Sequence, residues 1–293
     1  TNKPFFMDGE TVCSWKDASN AVASLTNFFR SHGLCVGDTV AIDIEKSFET
    51  YTLILACYCN GLTFVPIFFK DLFESPTMLS VVKPKLFLTG NPNKSKIAPN
   101  THCINQILTE TSGDINENFI GEPSLLDLAY IMHSSGSTGK PKVIPISRKN
   151  LDSYLDGIES ITTINNYSVF TQVASLTFDL SIHDIFLCFR NCGSLLPLQS
   201  SFAKFAPRFM DKFQAANVMI VPSFCDLLGT NLTLPSVENL FFCGEALRAS
   251  TALRAQSLFP NARIFNLYGP TEATVAVSYF EPNNSFSIDP SVV

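Results

Sequence analysis

Short apolar runs of strand length recur along this chain, most of them followed by a segment with helical periodicity, and that alternation is the tightest constraint on its fold. Val40, Ile42 and Ile44 alternate as a half-buried strand, and 63–68 and 85–89 read as two more. Further strands are expected over 128–133, 167–174, 194–198, 218–221, 239–243 and 263–267. Helices fill the intervals. Ser14, with Asp17 three residues on, predicts a capped helix start, with Ala18, Val22, Leu25 and Phe29 on one face and Gly33 at the end. Others are expected over 47–60, after Ser147 with Leu151, Tyr154, Leu155 and Ile158 on one stripe, and over 181–192, 208–217 and 250–259. Strands alternating with helices define an α/β chain with a largely parallel sheet and helices on both faces. The polar, turn-rich stretch 91–123 marks a junction, giving a first α/β subdomain over 1–125 and a second over 126–293.

Composition narrows the partners. Charged residues are only 16%, and 26 phenylalanines against one tryptophan supply most of the aromatic volume, so much of the chain must be interior. A net charge of -6 with no cluster of Lys and Arg argues against nucleic acid. The most apolar window, 51–69, contains Asn60, Gly61, Thr63 and Pro66, which reads as helix, turn and strand and not as a membrane span. Nine scattered cysteines, an odd number, read as reduced thiols, mostly small buried filler, in a cytoplasmic protein. Neither Cys57-x-Cys59 nor the four histidines are spaced as a zinc site, and the start of the chain has no signal-peptide pattern.

Ligands of open α/β sheets bind outside the carboxyl ends of the strands, so the loops there carry the chemistry. Ser134, Ser135, Gly136, Ser137, Thr138, Gly139, Lys140, Pro141 and Lys142 follow a strand. Glycines let the backbone approach an anion, hydroxyls and free N–H groups donate without bulk, and two lysines add charge. The loop suits polyphosphate, although composition alone equally allows an ordinary surface loop. It is not a Walker A loop, because the first glycine is missing and Pro141 stands in place of Ser or Thr. The order Tyr-Ile-Met-His-Ser-Ser-Gly-Ser-Thr-Gly-Lys-Pro-Lys from Tyr130 to Lys142 nevertheless resembles the signature of the adenylate-forming superfamily, which includes acyl-CoA synthetases, luciferases and adenylation domains. Val143 departs from it, standing where that family nearly always has glycine, and is expected to restrict the loop.

Two more loops fall in the order that the resemblance requires. In Thr177-Phe178-Asp179-Leu180-Ser181, Asp179 read alone is a helix N-cap. In the amino-acid-activating branch, the aspartate of this pattern binds the substrate's α-ammonium. A buried carboxylate needs a cation, and the only basic side chain near it in sequence is the weak base His183. Asn266, Leu267, Tyr268, Gly269, Pro270, Thr271 and Glu272 form the third loop, which by itself is a Gly-Pro turn. The resemblance implies that Tyr268 stacks on adenine, that Asn266 and Thr271 contact base and α-phosphate, and that Glu272 ligates Mg²⁺. Phe178–Asp184, Phe242–Leu247 and Ile264–Val277 are similar to the D-alanine–carrier-protein ligase family. That similarity adds Gly244 and Glu245 to the ATP set. It also implies a pocket of Asp179, Leu180, His183, Ser223, Phe241, Cys243, Leu267 and Val275 around the substrate, although His183 read alone is a helix residue satisfied by a carbonyl.

The resemblance implies a layered αβαβα N-terminal domain with two mostly parallel sheets. Full-length members add a small β-barrel portion and a mobile lid whose lysine serves adenylation. No lysine here matches it, so no catalytic residue is assigned, and this stretch alone is expected to bind nucleotide weakly and turn over slowly. The expected activity is ATP- and Mg²⁺-dependent conversion of a small, D-alanine-like amino acid to its adenylate, for transfer to the phosphopantetheine thiol of a carrier protein. An acyl- or aryl-acid CoA ligase and a catalytically silent binding module are the alternatives. No nucleic acid and no membrane insertion are expected.

Overall fold

Strand pairing sorts the described residues of the computed structural model (1–9, 11–68, 80–94, 100–110, 119–134, 142–198, 204–229 and 232–282) into two sheets. The first half runs β1 (Pro4–Asp8), β2 (Thr11–Ser14), α1 (Trp15–Ser31), β3 (Thr39–Asp43), α2 (Phe48–Cys59), β4 (Thr63–Ile67), β5 (Leu86–Thr89), β6 (Thr101–Cys103) and α3 (Ile104–Glu110). Next come β7 (Leu128–Ser134), β8 (Lys142–Ser147), α4 (Arg148–Ile161), β9 (Val169–Gln172), α5 (Leu180–Arg190), β10 (Ser194–Pro197) and α6 (Ala206–Lys212). The last elements are β11 (Ala215–Ile220), α7 (Pro222–Leu227), β12 (Asn239–Phe242), α8 (Ala249–Leu258), β13 (Arg263–Tyr268) and β14 (Ser278–Phe280). Among the described residues no helix is long and apolar enough to cross a membrane.

The chain forms two compact units. One holds Thr1–Lys3, Cys13–Ser153 and Ser175–Thr177; the other holds Pro4–Val12, Tyr154–Ala174 and the residues from Phe178 on. This division differs from a break at 125. β7 pairs with β4 through Phe64 and Tyr130, which keeps it in the first unit, and β1 pairs with β10 through Phe6 and Leu195, which carries the N-terminal strand into the second. Neither partner is near in sequence, so composition could not signal either pairing.

The first unit's sheet has the order β6-β5-β3-β4-β7-β8, parallel except for the antiparallel β7–β8 pair. α1 begins at Ser14 with the expected capping box: the Ser14 hydroxyl accepts from the Asp17 N–H, and the Asp17 carboxylate accepts from the Ser14 N–H at 2.8 Å. β3 is not half-buried; Val40, Ala41, Ile42 and Asp43 are all interior, as befits a central parallel strand. β8 is a strand that the sequence did not reveal, because Pro145 interrupts its apolar run. At the sheet edge, where β8 lies, a proline is tolerated. Val143 sits in this strand opposite His133, packs against the core of Ala41, Val65 and Ile131, and is not among the residues of positive φ. Valine suits this extended, paired position, while the expected restriction concerns the loop that precedes it. The loop itself, 135–141, and the Ser134 side chain lie outside the described residues.

The second unit's sheet has the order β14-β13-β12-β11-β9-β10-β1-β2, with β14 antiparallel to β13 and the pairings from β13 through β1 parallel. Its core is built on Leu196, Met210, Ile220, Leu240, Phe242 and Phe259. The helix expected over 208–217 ends at Lys212, where Gln214 turns left-handed (φ 52°) and β11 starts at Ala215. From β9 the chain proceeds through α5 to β10 on one side; from β11 it proceeds through α7 to β12 on the other. The connections therefore diverge between β9 and β11, and the ligand crevice of such a sheet opens at their carboxyl ends. α5 is held against β9 by the turn at Gly193, where a Cβ would stand 2.6 Å from the Phe170 ring and 2.7 Å from the Ser168 carbonyl. Gly193→Ala should therefore destabilise the protein by about 1–3 kcal/mol, read from urea unfolding. An unchanged midpoint would mean that α5 is not anchored there.

Candidate functional site

Asp179 lies in the loop after β9, immediately before α5, and is 6% exposed. It occupies the N-cap position, but its side chain makes no capping hydrogen bond. The Thr271 side chain and the backbone N–H groups of Asp179, Leu180 and Val275 are the groups that favour its ionised form. Its Oδ2 atom is buried with no hydrogen-bond partner among the described residues. Burial holds the Asp179 carboxyl above the usual range, and the hydrogen bonds only partly offset this. A neutral or unpaired acid in such a place is costly, and a cation arriving at Oδ2 would relieve it.

His183 does not supply that cation. It is 1% exposed, and burial drives its pKa down to about 3, so the ring is neutral. Its Nδ1 shares a 2.7 Å hydrogen bond with the Tyr154 hydroxyl from α4, a partner the sequence reading missed in favour of a carbonyl. Tyr154 lies on the predicted apolar stripe of α4, so its burial could have been foreseen, but its partner could not. The imidazole meets Phe241 edge-on with ring centroids 4.5 Å apart, and Phe241 stacks on Phe265 at 5.2 Å. Cys243, also interior, has its thiol pushed up to about 11 by burial and by the Asp179 charge, which places the two groups in one environment.

After β12, Gly244 turns through φ +87°, a left-handed conformation, with the Leu180 side chain beside it. Glu245 then accepts from both the Ser223 N–H (2.9 Å) and the Ser223 hydroxyl (2.8 Å) at the start of α7. The structure thus joins two residues that the sequence reading assigned to different ligands. At the end of β13, Asn266 is partly buried, Leu267 is interior and Tyr268 exposes 72% of its surface, and beyond the strand Glu272 is exposed in a short 3₁₀ turn. Gly269 is the only residue type that fits its site, because a Cβ would stand 2.5 Å from the Ala276 Cα. Thr274 and Val275 are both left-handed, at φ 65° each. For a β-branched valine this conformation is strained by about 1–3 kcal/mol. Asp179, Leu180, His183, Cys243, Thr271 and Val275 therefore belong to one neighbourhood of the second unit. Lys142 is exposed on β8 in the first unit.

This arrangement of sheets is that of adenylation domains. The chain is similar to the Vibrio cholerae adenylation domain AlmE, solved in complex with glycyl-adenosine-5'-phosphate, with a TM-score of 0.80 and 25% identity over 95% of this chain and 58% of that one. VinN, solved with L-aspartate, has the same fold, with a TM-score of 0.79 at 17% identity over 95% of this chain and 74% of that one. The AMP-binding enzyme family matches residues 1–292, and the chain belongs to that family of adenylate-forming ligases. Among curated relatives, the D-alanine–D-alanyl carrier protein ligase of Bacillus licheniformis is 37% identical over 163 residues, 53% of this chain and 32% of the ligase. The corresponding ligase of Listeria monocytogenes serotype 4a is 38% identical over 160 residues, 52% of this chain and 31% of the ligase. The matched stretch therefore spans about a third of these relatives' length.

The neutral His183 gives stability a pH dependence. Between its folded pKa of about 3 and the ordinary unfolded value of 6.5, the unfolded chain binds a proton that the folded chain does not. Its contribution is complete above the unfolded pKa and is lost as pH falls towards the folded one, amounting to a few kcal/mol. Replacing both partners (Tyr154→Phe with His183→Leu) should flatten that part of the acid limb in urea unfolding between pH 6.5 and 4. An acid limb identical to that of the parent protein would contradict a buried neutral ring.

Proposed function

We propose that this chain forms the nucleotide- and substrate-binding part of an enzyme that activates a small amino acid, of glycine or alanine size, as its adenylate. The observation that carries this reading is the bare, buried Oδ2 of Asp179 at the carboxyl edge of the second sheet. An α-ammonium is the cation that fits it: compact, a donor of three hydrogen bonds, and able to keep the carboxyl ionised. The row Tyr154, His183 and Phe241, with Cys243 and Val275 also interior, favours a small side chain. The ligands or names of the relatives, glycyl-adenosine-5'-phosphate and D-alanine, are of that size and support the same reading.

ATP fits the residues present. Tyr268 offers a bare aromatic face for the base, and Glu272 offers a free-standing hard oxygen ligand for Mg²⁺. We assign Asn266, Leu267, Gly269, Pro270, Gly244 and Glu245 to the nucleotide, and Ser134 to Gly139 with Lys142 to the phosphates, on their sequence order. Bound Mg²⁺ would neutralise phosphate charge. The chain's own part is to anchor the ammonium on Asp179 and thereby orient the substrate carboxylate. Leu180, Ser223 and Leu267 complete the proposed substrate set. The activated aminoacyl group is then passed to a carrier-protein phosphopantetheine thiol. Nine free cysteines agree with a reducing, cytoplasmic setting.

Titration of the protein with glycine, D-alanine and L-alanine, alongside propionate and benzoate as acids without an amino group, tests this reading. The amino acids should bind and the plain acids should not. Asp179→Asn should weaken amino-acid binding about thirtyfold or more, the loss expected when one partner of a buried charge pair is removed. Affinity should also fall as acid protonates Asp179, whose carboxyl titrates above the ordinary carboxylate range. Equal binding of propionate, or an indifferent Asn variant, would overturn the assignment.

A further inference from the structure

Beyond the sheet, the loops that follow β11 and β12 are joined through one carboxylate. The two strands pair in register up to Ile220 and Phe242. One more bond follows, from the Cys243 N–H to the Ile220 carbonyl at a long 3.4 Å. Past it, Glu245 takes over. One of its oxygens accepts from the Ser223 N–H at 2.9 Å and the other from the Ser223 hydroxyl at 2.8 Å.

These bonds answer a need of α7. The first N–H groups of a helix have no partner within it. Val221, at the N-cap position, makes no side-chain capping bond, and Pro222 has no N–H to satisfy. The Ser223 N–H is thus the first donor of α7, and Glu245 caps it from a neighbouring loop, where an acidic group suits the helix start. The far end of α7 is tied to the same stretch of chain. The Thr251 hydroxyl donates to Asp226 at 3.0 Å, and Arg254 Nε donates to the Cys225 carbonyl at 3.2 Å. α7 is thereby fastened at both ends to the segment that runs from Cys243 into α8.

This segment borders the proposed substrate pocket. Gly244 turns through φ +87°, and a Cβ there would stand 3.5 Å from Val221 and 3.7 Å from Leu180, the residue after Asp179. The loops following β9, β11 and β12 therefore meet at a glycine, which has no side chain to lock them together. Among the described residues, the hydrogen bonds that join the loops of β11 and β12 past Cys243 and ahead of α8 are those of Glu245.

We propose that Glu245 is a positioning residue that sets the size of amino acid the site accepts, by clamping the Cys243–Gly244 turn onto the start of α7. This rests on the reading of the site as one for a small amino acid. Sequence order assigns Glu245 to the nucleotide, but both carboxylate oxygens are engaged within the chain, which gives the side chain this task. With the clamp in place, Cys243 and Leu180, both in the proposed substrate set, are held as a fixed wall. Without it, the turn is able to retreat and admit a longer side chain. A single methylene against such a wall changes affinity by about tenfold or more.

Calorimetric titration with alanine and with 2-aminobutyrate, each in the enantiomer that binds, tests this, because the two differ by one methylene. The parent protein should favour alanine by about tenfold or more, and Glu245→Ala should bring that ratio towards one. Glu245→Gln should restore it, since the amide accepts from the Ser223 N–H and donates to the Ser223 hydroxyl. A merely structural role for Glu245 would weaken both amino acids alike and leave their ratio unchanged, which would overturn the proposal. Hydrogen exchange gives a second readout that needs no variant: the Ser223 amide should be protected although Ser223 is exposed. Exchange at the rate of an unprotected amide overturns the clamp and leaves the Asp179 anchor standing. A parent protein that binds neither amino acid overturns both.

Discussion

A carboxylate oxygen buried without a partner is the constraint around which the second unit is arranged. Removing an ion from water costs several kcal/mol even after the protein relaxes, and a single bare oxygen keeps much of that cost. Asp179 carries it at the place where the connections of the sheet diverge, between β9 and β11. The fold brings the residue there for topological reasons: β9 must be followed by a loop at its carboxyl end, and α5 must start from that loop. The surroundings withhold every cheap remedy. His183, four residues on, is neutral, and none of the ion pairs formed among the described residues reaches Asp179. On the proposed reading, a small cation from outside lowers the energy of this site.

Backbone strain is concentrated in the turn between β13 and β14. A threonine and a valine in succession at φ 65° would be poor choices in an ordinary turn, where glycine or asparagine serves. Here the Val275 N–H is among the groups that favour the ionised form of Asp179. The interior valine side chain also fixes the turn against the core, which a glycine could not do. Strain, burial and hydrogen bonding meet in one short segment. That combination distinguishes a positioned loop from one that merely links two strands.

Legibility followed the range of the interactions. Helix starts were readable because caps are local: Ser14 with Asp17 and Ser147 with Asn150 both form as their spacing suggests. Central strands were readable as apolar runs, though not their two-sided burial, which depends on neighbours recruited from distant sequence. β1, β2, β6, β8 and β14 escaped because they are short, carry a proline or lie away from a helical rhythm. The order of the loops pointed to Asp179, Tyr268 and Glu272 as site residues. It could not show that Tyr154 holds His183, because that pair is set by packing between separate elements.

That pair bears on the selectivity proposed for the site: a protonated imidazole would put a positive charge on α5, the helix that Asp179 opens. Burial against Phe241 and the bond to the Tyr154 hydroxyl keep the ring uncharged down to about pH 3. On the proposed reading, the aromatic row favours a small side chain, and its neutrality leaves the carboxylate for an ammonium.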